Sequence, residues 1–174
     1  MTDLLVLCTG NAARSVMAGF MLEALADALP DQLHIVTAGT HSIDGQPMGL
    51  RTRTALLRIP ELAGADFRRH RSCQVQGVDL VHAQLVVVME ADHVRFVRRR
   101  FPDAAKKTAT LRRLCDDLPA GPLSLQARVA ALGLAEVDLS DDEDVMDPAG
   151  HEDDVYADCA DELWGLCRTL IKLV

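Results

Sequence analysis

Eight residues near the start of the chain, Cys8-Thr9-Gly10-Asn11-Ala12-Ala13-Arg14-Ser15, set a nucleophile, a fixed cation and a hydroxyl around small side chains. Five residues separate Cys8 from Arg14. Thr9, Gly10, Asn11, Ala12 and Ala13 let the backbone come close to a ligand. Gly and Asn also accept the left-handed dihedrals that turn successive N–H groups inward. A concave run of N–H groups at a helix start binds an anion and favours a thiolate at Cys8 over a thiol. Arg14 supplies a planar fork that matches a tetrahedral oxyanion, and Ser15 can donate a hydrogen bond to the sulfur. These are the parts for covalent attack on a phosphoryl centre. Taken alone, the loop also reads as a buried structural cysteine beside an arginine that only pairs or caps.

A strand and a helix must hold that loop. Leu4 to Leu7 is a short apolar run and reads as a buried strand. From Ser15 onward, Val16, Met17, Phe20, Met21, Leu22 and Leu25 recur at helical spacing, which predicts a helix to about Ala28, stopping before Pro30. Further along, strands are expected over His34 to Ala38, Leu85 to Met89 and Ala109 to Leu111. Helices are expected from about Met48 to Arg58, Val75 to His82, just past Met89, and Gln126 to Leu134. The helix after Met89 carries Arg95, Arg98, Arg99 and Arg100 in its later turns, which the helix dipole and solvation explain. Asp138 to Asp144 reads as a charged, mobile loop. A last helix runs from about Glu152 to Leu173, with Val155, Cys159, Leu163, Leu166, Leu170 and Val174 as its buried stripe. Alternating strands and helices predict a three-layer α/β/α fold with a central four-stranded parallel sheet. The anion-binding loop then lies at the carboxyl end of the first strand, where open parallel sheets bind ligands.

The bulk properties bound the function. The 174 residues read as one domain spanning 1–174. A formal net charge of −8 disfavours nucleic acid as a partner. The five cysteines have no Cys-x-x-Cys pair and an odd count, which fits a reducing cytoplasm. The start, Met1-Thr2-Asp3-Leu4, shows no basic region before an apolar run, and no run is long enough to span a bilayer. No membrane partner, metal or cofactor is expected.

The Cys8–Ser15 run resembles the signature loop of cysteine-dependent phosphatases, and its N-terminal place is similar to the low-molecular-weight protein-tyrosine phosphatase family. That family shares its fold with single-cysteine arsenate reductases. Thr37-Ala38-Gly39-Thr40 resembles the family's Ser-Ala-Gly-Thr run after the second strand. Residues 65–72, Ala-Asp-Phe-Arg-Arg-His-Arg-Ser, resemble its approach to a short helix, and the resemblance implies that His70 partners Asn11. Met89-Glu90-x-x-His93 fits its third crossover. The implied activity is hydrolysis of a phosphoric monoester, on a phosphorylated protein or small aryl phosphate, with residues 9–15 around the phosphate. The chain departs from the family at Ala13, where a second cysteine is common, at Val16 for a proline, and at Ala12 for a bulkier or hydroxyl residue. Ala149-Gly150 replaces paired aromatics, and no Phe, Tyr or Trp lies between residues 40 and 66. A cleft without most of its aromatic walls is expected.

Such a phosphatase needs an acid, because the leaving oxygen must be protonated as its bond breaks. Asp147, in Met146-Asp147-Pro148-Ala149-Gly150, is the candidate. Pro148 stiffens its backbone, and the resemblance implies the general-acid role for an Asp-Pro pair just before the last helix. Asp144 and Asp141 compete without a following proline. Two other functions would use the same loop. Arsenate reduction would need an external low-molecular-weight thiol or redoxin, since Cys73 and Cys115 lie far apart in sequence. A binding protein would hold phosphate without turnover.

Overall fold

The computed structural model describes residues 2–27, 29–30 and 33–174. Its strands are β1 (Thr2–Cys8), β2 (Leu33–Gly39), β3 (Leu85–Val88) and β4 (Thr108–Thr110). Its helices are α1 (Arg14–Ala26), α2 (Leu50–Leu56), α3 (Gly77–His82), α4 (Ala91–Arg100), α5 (Leu111–Asp117), α6 (Leu125–Ala130) and α7 (Asp153–Leu170). The continuous apolar runs at 4–7 and 85–88 become the inner strands of a parallel sheet in the order β2-β1-β3-β4. Their side chains alternate between two cores. Leu4, Val6, Cys8 and Val87 pack with α1, α2, α5 and α7 on one face. Leu5, Leu7, Val86 and Val88 pack with α3 and α4 on the other. This is the expected three-layer α/β/α arrangement.

The sheet register sets the loop in place. Cys8 at the end of β1 lies opposite Gly39 at the end of β2. A side chain at Gly39 would come within 2.7 Å of the Thr9 carbonyl oxygen and 3.0 Å of the Asn11 nitrogen, so only glycine lets β2 close against the loop.

Several expectations are corrected. Leu111 opens α5 rather than ending a strand, because the Thr110 hydroxyl accepts the Arg113 N–H and caps a helix there. The helix expected from Met48 spans only Leu50–Leu56, and that expected to Leu134 stops at Ala130. Past Ala130 the chain turns, with Gly133 at φ 61°. Helix α1 ends at Ala26, and the expected terminus at Ala28 lies outside the described residues. The buried stripe of α7 is Cys159, Ala160, Leu163, Cys167 and Leu170, whereas Val155, Leu166 and Val174 are half-buried. Asp138 to Asp144 is tied down rather than free. Glu143 accepts from the Thr110 hydroxyl at 2.6 Å and pairs with Arg113, while Asp144 Oδ1 accepts the Ala91 N–H at 2.7 Å. Among the described residues no helix is long and apolar enough to cross a membrane.

Candidate active site

Residues 9–13 form the turn between β1 and α1. Their carbonyls, and that of Cys8, are engaged from outside. Thr40 N–H donates to Cys8 O, His41 N–H to Thr9 O and the Ser42 hydroxyl to Gly10 O. His70 Nε2 donates to Asn11 O at 3.1 Å, the Thr52 hydroxyl to Ala12 O at 3.0 Å and Met17 N–H to Ala13 O. Across a trans peptide the N–H points opposite to the carbonyl. Carbonyls held outward therefore turn the loop's N–H groups toward its concave side.

Asn11 is the pivot. Among the described residues it is the one non-glycine with a positive φ, at 50°, and it is fully buried; Gly10 does not take the left-handed form. Its amide offsets the cost of that conformation. Nδ2 donates to Ser15 Oγ and Thr37 Oγ1, both at 3.0 Å, and Oδ1 accepts the Cys73 N–H at 3.0 Å. The expected Asn11–His70 pair forms through the Asn11 backbone carbonyl rather than its side chain. Burial lowers the His70 pKa, which favours the neutral ring.

Cys8 Sγ and Ser15 Oγ lie 3.0 Å apart. Asn11 already donates to that hydroxyl, which leaves the Ser15 proton for the sulfur.

Arg14, with 1% of its surface exposed, is the largest fully buried side chain. Its Nη1 donates to Glu90 Oε2 at 2.6 Å and to the Val145 carbonyl at 2.9 Å, and its Nη2 donates to Asp147 Oδ2 at 2.7 Å. Burial works against its charge, but the bond to Glu90 and the charges of Asp147 and Glu90 outweigh that, and its pKa is raised. A guanidinium has five N–H donors, and three are committed here. Both Nη1 hydrogens are used, which leaves Nε–H and one Nη2–H uncommitted for an anion.

Asp147 is thus brought to Arg14 from the far end of the sequence. Pro148 is buried, Asp147 Oδ1 accepts the Ala149 N–H at 3.0 Å, and Gly150 turns the chain at φ 82°. The competitors lie elsewhere. Asp144 holds the first N–H of α4, with its pKa raised by burial, and Asp141 is exposed beside Arg95.

Sequence reasoning missed Glu90 and His93 as parts of the site. The available signal was a carboxylate just past the carboxyl end of a central parallel strand. His93 Nε2 lies 3.0 Å from Thr9 Oγ1 and 3.3 Å from Glu90 Oε1. Burial, then the Arg14 charge, lowers its pKa to about 3. Burial raises the thiols of Cys73, Cys115 (to about 11), Cys159 (to about 12) and Cys167, and all five cysteines are free. Among the described residues no three metal-ligating side chains cluster.

The two depressed histidines carry a stability prediction. His93 stays neutral when folded and His70 is shifted the same way, whereas an unfolded histidine takes up a proton near pH 6.5. The unfolded state therefore binds more protons as pH falls below 6.5; stability present above that pH is lost as pH falls, for His93 toward its folded value of about 3, and His70 adds to the loss in the same direction. His93 alone has a limiting slope of about 1.4 kcal/mol per pH unit. Urea unfolding between pH 7.5 and 5.5 should show the loss, and His93→Gln should make it shallower. A pH-independent midpoint over that range would refute the buried neutral assignment.

Residues 3–122 match the family described as low molecular weight phosphotyrosine protein phosphatase. A protein-arginine-phosphatase of Geobacillus stearothermophilus is 28% identical over 169 residues, covering 97% of this chain and 93% of that one. A probable low molecular weight protein-tyrosine-phosphatase of Ralstonia solanacearum is 31% identical over 111 residues, covering 64% and 69%. A low molecular weight protein tyrosine phosphatase structure from T. tengcongensis superposes with a TM-score of 0.78 at 27% identity, covering 100% of both chains.

Proposed function

The chain belongs to the low molecular weight phosphotyrosine protein phosphatase family, and from that premise we propose that it hydrolyses phosphorylated protein side chains, phosphotyrosine or another aryl phosphate first among them, through a cysteinyl-phosphate. The observation that carries the reading is the convergence of Cys8, Ser15, Arg14 and Asp147 on one concave loop. The Cys8 sulfur attacks phosphorus in line. The N–H groups of residues 9–14 and the two uncommitted N–H groups of Arg14 hold the equatorial oxygens. Asp147 protonates the leaving oxygen, then takes a proton from the water that releases phosphate. The Ser15 hydroxyl steadies the sulfur as nucleophile and as leaving group. Asp147 lies beyond the family match at 3–122, and its role is supported by its contact with Arg14.

Phosphoarginine is a second reading, favoured by one feature besides the relative's name. Just past the Asp147 turn, His151 O, Glu152 and Asp153 already hold a guanidinium, that of Arg51, at 2.8, 3.1 and 2.9 Å. Arsenate reduction has less support, because it would need an external thiol: Cys159 and Cys167 are buried, and Cys73 Sγ donates to Thr37 O. The test is phosphate release from a phosphotyrosine peptide, a phosphoarginine peptide and para-nitrophenyl phosphate. The aryl substrates should be turned over at the higher kcat/KM. A phosphoarginine preference of tenfold or more, roughly 1.4 kcal/mol, would replace the first reading with the second. No release from any, with thiol-dependent arsenite production from arsenate, would sink both.

A further inference from the structure

Glu90 and His93 face Arg14 and Thr9 from the start of α4, and neither has a role in the chemistry above. Glu90 divides its two oxygens. Oε2 takes Arg14 Nη1 at 2.6 Å, and Oε1 lies 3.3 Å from His93 Nε2. The same Nε2 is 3.0 Å from the hydroxyl of Thr9, the residue after the nucleophile. A bare nitrogen there would set its lone pair against an acceptor-only carboxylate, so we place the ring proton on Nε2, where the Thr9 hydroxyl takes the hydrogen bond and Glu90 Oε1 the longer contact. Nδ1, buried and without a hydrogen-bond partner among the described residues, is then the bare nitrogen. His93 is 3% exposed, and its ring is pinned between the loop and the carboxylate.

We propose that His93 is a positioning residue that holds Glu90 Oε1, so that only Oε2 reaches Arg14 and two guanidinium N–H groups stay turned toward the oxyanion. The inference rests on the phosphatase reading of the cradle. A carboxylate with both oxygens free pairs with arginine fork to fork. At Glu90 that would claim another guanidinium N–H or displace Asp147 from Nη2. His93 prevents it by occupying one oxygen. Through Thr9 it also ties the position of that carboxylate to the loop that carries Cys8.

The test uses substitutions that separate this role from simple packing. Glutamine reaches about as far as the imidazole Nε2 and can donate there, whereas leucine keeps bulk without a donor. Phosphate affinity is read by calorimetry with inorganic phosphate, and kcat and KM with para-nitrophenyl phosphate. His93→Leu should weaken phosphate binding about tenfold or more, the worth of one charge-assisted hydrogen bond, and lower kcat/KM. His93→Gln should stay within about threefold of wild type, under 1 kcal/mol. Adding Glu90→Gln to His93→Leu should restore most of the phosphate affinity, because an amide offers Arg14 a single acceptor oxygen, as Glu90 does when His93 holds the other. If His93→Leu fails to fold, His93→Asn takes its place, since its amide stops short of Glu90. Wild-type phosphate affinity in the variant lacking the donor overturns the inference, as does a loss that Glu90→Gln leaves unrelieved. A wild-type protein that binds no phosphate would instead bring down the reading of the cradle, and this inference with it.

Discussion

Cys8→Ser should abolish hydrolysis while inorganic phosphate continues to bind. The cradle is held by the carbonyls of residues 8–13 and by the side chain of Asn11, none of which involves the sulfur. The substitution therefore removes the nucleophile and spares the site. A serine hydroxyl without an adjacent base is a weak nucleophile, and loss of a covalent nucleophile typically costs on the order of 10⁴-fold or more. Ser15, which lies 3.0 Å from the sulfur, cannot serve as that base. The measurement pairs initial rates on para-nitrophenyl phosphate with calorimetric phosphate binding. Hydrolysis within tenfold of wild type would sink the covalent mechanism.

Asp147→Asn should slow substrates with poor leaving groups far more than those with good ones. A phenyl leaving oxygen needs a proton in the transition state, whereas an electron-poor phenolate departs without one, and acid help is worth about 10²–10⁴-fold. Arg14 keeps Glu90 and the Val145 carbonyl in the variant, so the oxyanion grip is retained and the loss reports proton transfer. The measurement is kcat/KM over aryl phosphates of graded leaving-group pKa. A steeper dependence in the variant is expected. Equal slopes would remove Asp147 from the role. Asp144→Asn serves as the control, since its carboxylate is occupied by the Ala91 N–H and its slope should match wild type.

What the sequence made legible was local. The inner strands announce themselves as continuous apolar runs at 4–7 and 85–88. The Cys8–Ser15 loop carries its chemistry within eight consecutive residues, and Asp147 is marked by the proline after it. What stayed hidden depends on partners distant in sequence. Leu111 looks like a strand residue until the Thr110 hydroxyl is seen to cap α5. The 138–144 run looks solvated because its charge is plain and its partners, Arg112 and Arg113, are not adjacent. Glu90 and His93 look like an ordinary helix start. They join the site only because the parallel register sets the end of β3 beside the end of β1.

Val145 has a kinetic consequence. Its N–H donates to Met89 O at 2.8 Å and its carbonyl accepts from Arg14 at 2.9 Å, so one residue fastens the segment carrying Asp147 to the sheet and to the buried cation together. Many enzymes place their acid on a lid that swings shut over substrate, and the swing limits turnover. Here Asp147, the proposed acid, is already docked on Arg14, two residues from a double backbone anchor. On that proposal, added viscogen should slow only the encounter with substrate and the escape of product, with no closing step to retard.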